Sequence, residues 1–244
     1  MATDPRLIRM PPEGLFRAGR WADIYQFPPP ARALRWRAGP VQDGYRWEDL
    51  EGRFATVKLS AAPEGAIGRT LARYRERKVE GVSLINAIKE WLSHEPQGGP
   101  AMSSNLVPRS YFDDAYLLEV GFDEDVEFID LEHQRTRDLI EELAGDWLQL
   151  FEAEVDQDLT KNRDRRVTRA ITTVLQGFCA QPDYAQVAGV RYATPDRPWN
   201  AYVAWDDPAR IDLEEAASMR PLLPDDEAVK AAATRLGLDL PAGY

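Results

Sequence analysis

Nucleophilic and metal chemistry have few residues to draw on in this sequence. Cys179 is its one cysteine, and His94 and His133 are its two histidines. A single cysteine can form no internal disulfide and no Cys-rich zinc or iron–sulfur site, and a multi-histidine metal centre would need acidic ligands to complete it. Cys179 has no neighbouring histidine and no Cys-x-x-Cys partner, and it follows Phe178 at the apolar end of a helical pattern, which predicts a small buried hydrophobe. His94, after Ser93, and His133, among Glu132, Gln134 and Arg135, read as surface or capping residues. In Asp123-Glu124-Asp125 three adjacent side chains cannot all turn inward, so a solvated turn is expected there in place of a cation site. Gly65-Ala66-Ile67-Gly68-Arg69-Thr70 has the look of a phosphate loop, but it lacks the longer glycine spacing and the Lys-Ser/Thr pair that hold phosphate and magnesium.

The cationic side chains carry more information. The 244 residues hold 30 Lys and Arg against 41 Asp and Glu, a formal net charge of −11. That balance disfavours a nucleic-acid backbone as partner, because such binding rests on counterion release by basic groups. The basic groups are nevertheless concentrated early: residues 1–80 hold 15 Lys and Arg against 10 Asp and Glu, and the remaining 164 hold 15 against 31. A locally positive cleft inside an acidic protein suits a small phosphorylated ligand better than a polymer; an ordinary solvated surface is the competing reading.

Tyr45-Arg46-Trp47-Glu48 opens a segment that continues through Gly52, the strand-like Thr56-Val57-Lys58-Leu59-Ser60 and the helix start Pro63-Glu64-Gly65-Ala66. In order and spacing this segment resembles the RES-domain family, whose members include NAD-consuming toxins of bacterial toxin–antitoxin pairs. The family shows an Arg-aromatic-acidic segment, a glycine turn, a strand of the kind Tyr-Leu-Ala/Ser, and a Pro-x-x-Ala helix bearing a glutamate. Leu15-Phe16-Arg17 and Ala188-Gly189-Val190-Arg191-Tyr192-Ala193-Thr194 extend the likeness, the latter being similar to the family's Gly-Ile-Arg-Tyr-x-Ser segment, so that it covers about residues 14–206.

The resemblance implies an ADP-ribosyltransferase-like fold with NAD, as substrate or ligand, held in a cleft between two sheet portions. Breaking the nicotinamide–ribose bond through an oxocarbenium-like state calls for a carboxylate near the sugar and cations at the pyrophosphate. Carried over one position at a time, Arg46 stands where the family has its essential arginine. The strand tyrosine falls at Lys58, the helix glutamate at Arg69, and the late serine at Thr194, which keeps a hydroxyl. The implied catalytic set is Arg46, Lys58, Arg69 and Thr194, and the implied NAD-binding set is Arg17, Arg46, Lys58 and Arg69, with no metal. A guanidinium at the carboxylate position opposes positive charge growing on the ribose. Reduced or altered NAD glycohydrolase, phosphorylase or ADP-ribosyltransferase activity is therefore the first expectation. The second is a non-catalytic module that binds a nucleotide or a protein partner and acts by occupancy. Glu64, five residues before Arg69, does not share a helix face with it closely and is not expected to substitute. The resemblance also implies an antitoxin or other protein partner.

These side chains must be positioned by elements that the pattern outlines. No run approaches the roughly 18 apolar residues of a membrane span, and the opening residues lack the apolar centre of a secretory signal, which predicts a soluble, cytoplasmic protein with no membrane partner. After Pro63, Ala66, Ile67, Leu71 and Tyr74 recur at helical spacing, and Ser83 caps a second helix carrying Leu84, Ala87, Ile88 and Trp91. Residues 115–122 and 126–131 read as strands joined across Asp123-Glu124-Asp125 in an antiparallel hairpin, with two longer helices following. Residues 189–194 and 200–205 form a second hairpin, and Pro224-Asp225 precedes a helix that stops near Gly237. Strands and helices segregate in blocks, so the expected class is α+β, and the resemblance adds mixed or antiparallel sheet portions flanked by helices. The expected organisation is an N-terminal arm over 1–13, a RES-like domain over 14–206, and a C-terminal extension over 207–244 whose short helix packs on that domain.

Overall fold

The computed structural model describes residues 4–11, 14–27, 41, 47–74, 105–122, 125–156, 158–194, 197–206, 211–212 and 218–242; of 194, 197, 198, 211 and 212 it describes the backbone alone. Among the described residues the strands are β1 Leu7–Arg9, β2 Leu15–Arg20, β3 Thr56–Ser60, β4 Ala115–Phe122, β5 Glu127–Asp130, β6 Val187–Thr194, β7 Arg197–Trp205, β8 Ile211–Asp212 and β9 Ser218–Pro221. The α-helices are α1 Trp21–Ile24, α2 Pro63–Leu71, α3 Gln134–Leu150, α4 Arg165–Phe178 and α5 Glu227–Leu236. The strand order is β1-β5-β6-β7-β3-β2-β4, and β8 and β9 pair end to end along the far edge of β4. Among these strands of the described residues, β5 and β6 run parallel and the other pairs are antiparallel. The chain is α+β, with a mixed sheet flanked by helices.

Burial explains the layering. Helices α3 and α4 place Leu139, Ile140, Leu148, Ile171 and Leu175 against Ile129, Val190 and Val203 of β5, β6 and β7. Helices α2 and α5 pack Ile67, Leu71, Val229 and Leu236 with Leu117 of β4. A third cluster draws Leu15, Val57, Leu118, Phe128, Ala188 and Tyr202 from six different strands. Strands β4 and β5 stand five places apart in the sheet, which would separate them by roughly 24 Å if the sheet were flat. The Phe122 and Phe128 ring centroids are nevertheless 5.9 Å apart, and Phe128 meets Tyr202 at 4.9 Å. The sheet therefore curls around Phe128.

The hairpin expected of residues 115–122 and 126–131 does not form. Strand β4 pairs with β2, β8 and β9, whereas β5 pairs with β1 and β6. Consecutive residues Phe128 and Ile129 are both fully buried and belong to different clusters, so β5 must be covered on both faces. An exposed hairpin could not cover both. The second hairpin does form, as β6 and β7, with Val190 opposite Val203. Helix α2 starts at Pro63, and α5 ends at Gly237, whose φ of 65° is the left-handed conformation that glycine adopts freely. His133 caps α3, its Nδ1 accepting from the Arg135 amide at 3.2 Å, and Cys179 is buried beside α4. Ser83 and its helix, His94, and Asp123 and Glu124 of the acidic run lie outside the described residues. Strand β1, within 1–13, pairs with β5; β9 and α5, within 207–244, join β4 and pack on α2. No helix among the described residues is long and apolar enough to cross a membrane.

Candidate functional site

Strands β2 and β3 share one ladder pair, Phe16 with Ser60. Beyond it they part, because β2 stays on β4 from Leu15 to Arg20 while β3 stays on β7 from Thr56 to Ser60. The parting opens a cleft of about 480 Å³ lined by Arg17, Ala18, Asp23, Gln26, Phe27, Glu48, Thr56, Val57, Lys58, Arg69 and Thr70. Directly paired residues share a sheet face, so a continued ladder would set Arg17 with Leu59 on one face and Ala18 with Lys58 on the other. The split lets Arg17 and Lys58 reach one space.

Helix α2 brings the third cation. A Cβ at Gly65 would lie 2.1 Å from Ser60 Oγ and 3.0 Å from Trp199 Cβ, and one at Gly68 would lie 3.3 Å from the Trp199 ring. The two glycines that look like a phosphate loop thus form the flat side on which α2 lies against β3 and β7. Arg69, in the last turn, where a cation suits the helix dipole, donates from Nη2 to the Leu59 carbonyl at 2.9 Å. On the other wall, Arg17 Nη1 donates to the carbonyls of Ile24 at 2.9 Å and Gln26 at 2.8 Å, which holds the segment after α1 at the cleft rim.

Glu48 enters the cleft from a rigid segment. Its neighbours Trp47 and Leu50 are embedded in the core under α3 and α4. Asp49, fully buried, accepts from the Arg53 amide at 2.6 Å, from Arg53 Nε and Nη2 at 3.1 Å each, and from Thr173 Oγ1 at 2.7 Å. Arg169 Nε donates to the Asp49 carbonyl at 2.9 Å, and the Leu50 amide donates to Thr173 Oγ1 at 2.8 Å. Glu48 itself is 1% exposed, and its Oε2 has no hydrogen-bond partner among the described residues. Burial pushes its carboxyl above the ordinary glutamate range, against the pull of Arg169 and Lys58. Burial pushes Asp49 upward too, but the hydrogen bonds from Arg53 and Thr173 outweigh it and hold that carboxyl below its usual value.

The structure brings Arg17, Lys58 and Arg69 together. Arg46 lies outside the described residues, next to buried Trp47. Thr194 ends β6 opposite Arg197, after a register shift, and its side chain lies outside the description. Glu64, in the first turn of α2, is not a lining residue of the cleft. Glu48 is the group that the sequence pattern left without a role. Its signal was present, since two carboxylates set between Trp47 and Leu50 are carried into the core with them. Cations on both walls, with Asp23 and Glu48 among them, suit a ligand that carries phosphate together with hydrogen-bond donors. No group of three or more His, Cys, Asp or Glu that could hold a metal ion occurs among the described residues. No protein-family model, no curated protein and no solved structure matches this chain.

Proposed function

We propose that this is a RES-type module of ADP-ribosyltransferase-like fold whose cleft between β2 and β3 takes NAD or ADP-ribose, with NAD consumption reduced or altered. The observation that carries this reading is the convergence of Arg17, Lys58 and Arg69, from β2, β3 and α2, on one cleft at a split in the sheet. Cations from three elements are suited to clamp a pyrophosphate, and charge-assisted hydrogen bonds would carry the affinity. Arg69 occupies the position at which the resemblance expects a glutamate, so turnover is slow or absent. Non-catalytic binding by occupancy is the second reading, and the bond from Arg69 to the Leu59 carbonyl favours it, because this side chain ties α2 to β3. The toxin–antitoxin setting, an antitoxin partner and a cytoplasmic location belong to the same proposal and rest on the resemblance alone.

Titration calorimetry with NAD and ADP-ribose, paired with an assay for nicotinamide release, tests it. Measurable binding is expected, weakened by raised salt and by Lys58→Ala or Arg69→Ala, with little nicotinamide released. The double variant Lys58→Tyr/Arg69→Glu should release nicotinamide faster than wild type. Absence of both heat and a melting shift at millimolar ligand would overturn the nucleotide reading. Rapid release by the wild type would show that another carboxylate serves the reaction.

A further inference from the structure

The cations account for the anionic part of a ligand and leave Glu48 unexplained. Glu48 lines an open cleft yet is only 1% exposed, and its buried Oε2 is unpartnered among the described residues. A buried carboxylate oxygen without a donor weakens the fold, and native proteins rarely keep one without a reason. Here the segment cannot relax, since Asp49 and Leu50 on the C-terminal side of Glu48 are bonded to Arg53, Thr173 and Arg169. None of the described residues supplies a donor to Oε2, which leaves that place to water or to a ligand. Arg17, Lys58 and Arg69 share the cleft, so a ligand that carries both an anion and a hydroxyl would satisfy these cations and Glu48 at once.

We propose that Glu48 reads the sugar of the ligand: its carboxylate turns Oε2 into the cleft as the ligand seats and accepts a hydrogen bond from a ribose-type hydroxyl, while the phosphate groups lie against Arg17, Lys58 and Arg69. The chemical class is a ribosyl phosphate, and the proposal rests on the reading of the cleft as a nucleotide site. It assigns to Glu48, forward of β3, a task that the resemblance would give to a carboxylate on α2.

The test is titration calorimetry of wild type, Glu48→Ala and Glu48→Gln with two probes, ADP-ribose and inorganic pyrophosphate, which offers charge without a sugar hydroxyl. Glu48→Ala should weaken ADP-ribose by about 10- to 100-fold, the range for a lost hydrogen bond to a charged group. Pyrophosphate should bind it as well as, or better than, wild type, since a negative charge has left the cation cluster. Glu48→Gln, which keeps the shape and an acceptor oxygen, should fall between the two for ADP-ribose, and its melting curve confirms folding. Unchanged ADP-ribose affinity in Glu48→Ala, or equal losses for both probes, overturns the role of Glu48 and leaves the anion cleft standing. A wild type that binds neither probe overturns the cleft reading and this proposal with it.

Discussion

Glu48 and Asp49 are adjacent buried carboxylates with opposite proton affinities, and the difference lies in their donors. Asp49 is met by Arg53 and Thr173, so ionisation stabilises the fold; Glu48 Oε2 meets no donor among the described residues, so ionisation costs stability. A carboxyl whose affinity for the proton is raised by folding contributes stability at low pH that is lost as pH rises through its folded value. Glu48→Gln should therefore stabilise the protein at pH 7 by roughly 1 kcal/mol, with the gain shrinking as the solution is acidified toward the ordinary glutamate range. Urea unfolding of both proteins at pH 7 and pH 4.5 measures this. Asp49→Asn should cost about 2–3 kcal/mol at pH 7, because charge-assisted bonds are lost inside the core. A neutral result by the same method would mean that Arg53 and Thr173 contribute nothing there.

Helix α2 shows how much at the level of elements was legible. Its start at Pro63 and its apolar spacing were readable, because propensity and periodicity act within a few residues. Its glycines were not, since their purpose is the approach of Ser60 and Trp199, the latter more than 130 residues away in the chain. Gly65→Ala should destabilise by about 1–3 kcal/mol, as overpacking at Ser60 Oγ and Trp199 Cβ forces α2 outward. Displacing α2 moves Arg69 as well, so affinity for ADP-ribose should fall in the same variant. Gly145 in α3 has no heavy atom within 4 Å of an added Cβ, and Gly145→Ala should instead stabilise by about 0.5–1 kcal/mol through helix propensity. Thermal melts of the two variants side by side separate glycine kept for packing from glycine merely tolerated.

For the molecule as a whole, acid is the sharpest probe. Asp164 caps α4, accepts from the amides of Val41 and Arg166 at 3.0 Å each, and pairs with Arg166 Nη2 at 2.7 Å. Burial pushes Asp164 upward, but these bonds outweigh it and hold its carboxyl below the usual value, as happens at Asp49. Groups lowered by folding contribute stability that is fully present above their unfolded values and lost as pH falls through the folded ones. Denaturant unfolding should therefore show a steep loss of stability below about pH 4, the ordinary aspartate range. Asp164→Asn should flatten that slope while lowering stability at pH 7 by about 2 kcal/mol. An unchanged acid slope in Asp164→Asn would place the acid sensitivity elsewhere.

Local order was written in the chain: the α+β class, α2 to α5, the hairpin of β6 and β7, the cap of His133 and the buried Cys179 follow from residue type and short-range spacing. The order of β4 and β5 in the sheet was not, because residues 115–122 and 126–131 carry the same signals whether they pair with each other or with distant strands. What decides between these is burial on both faces of β5, a property of the assembled core. The cleft belongs to the same category. The presence of Arg17, Lys58 and Arg69 can be seen in the sequence, but their convergence depends on β2 and β3 separating after a single pair, since side chains on opposite faces of a continuous sheet never meet. Glu48 is held at that space beside Asp49, which is pinned to Arg169 and Thr173 about 120 residues further along, and contacts of that separation exist only after the chain has folded.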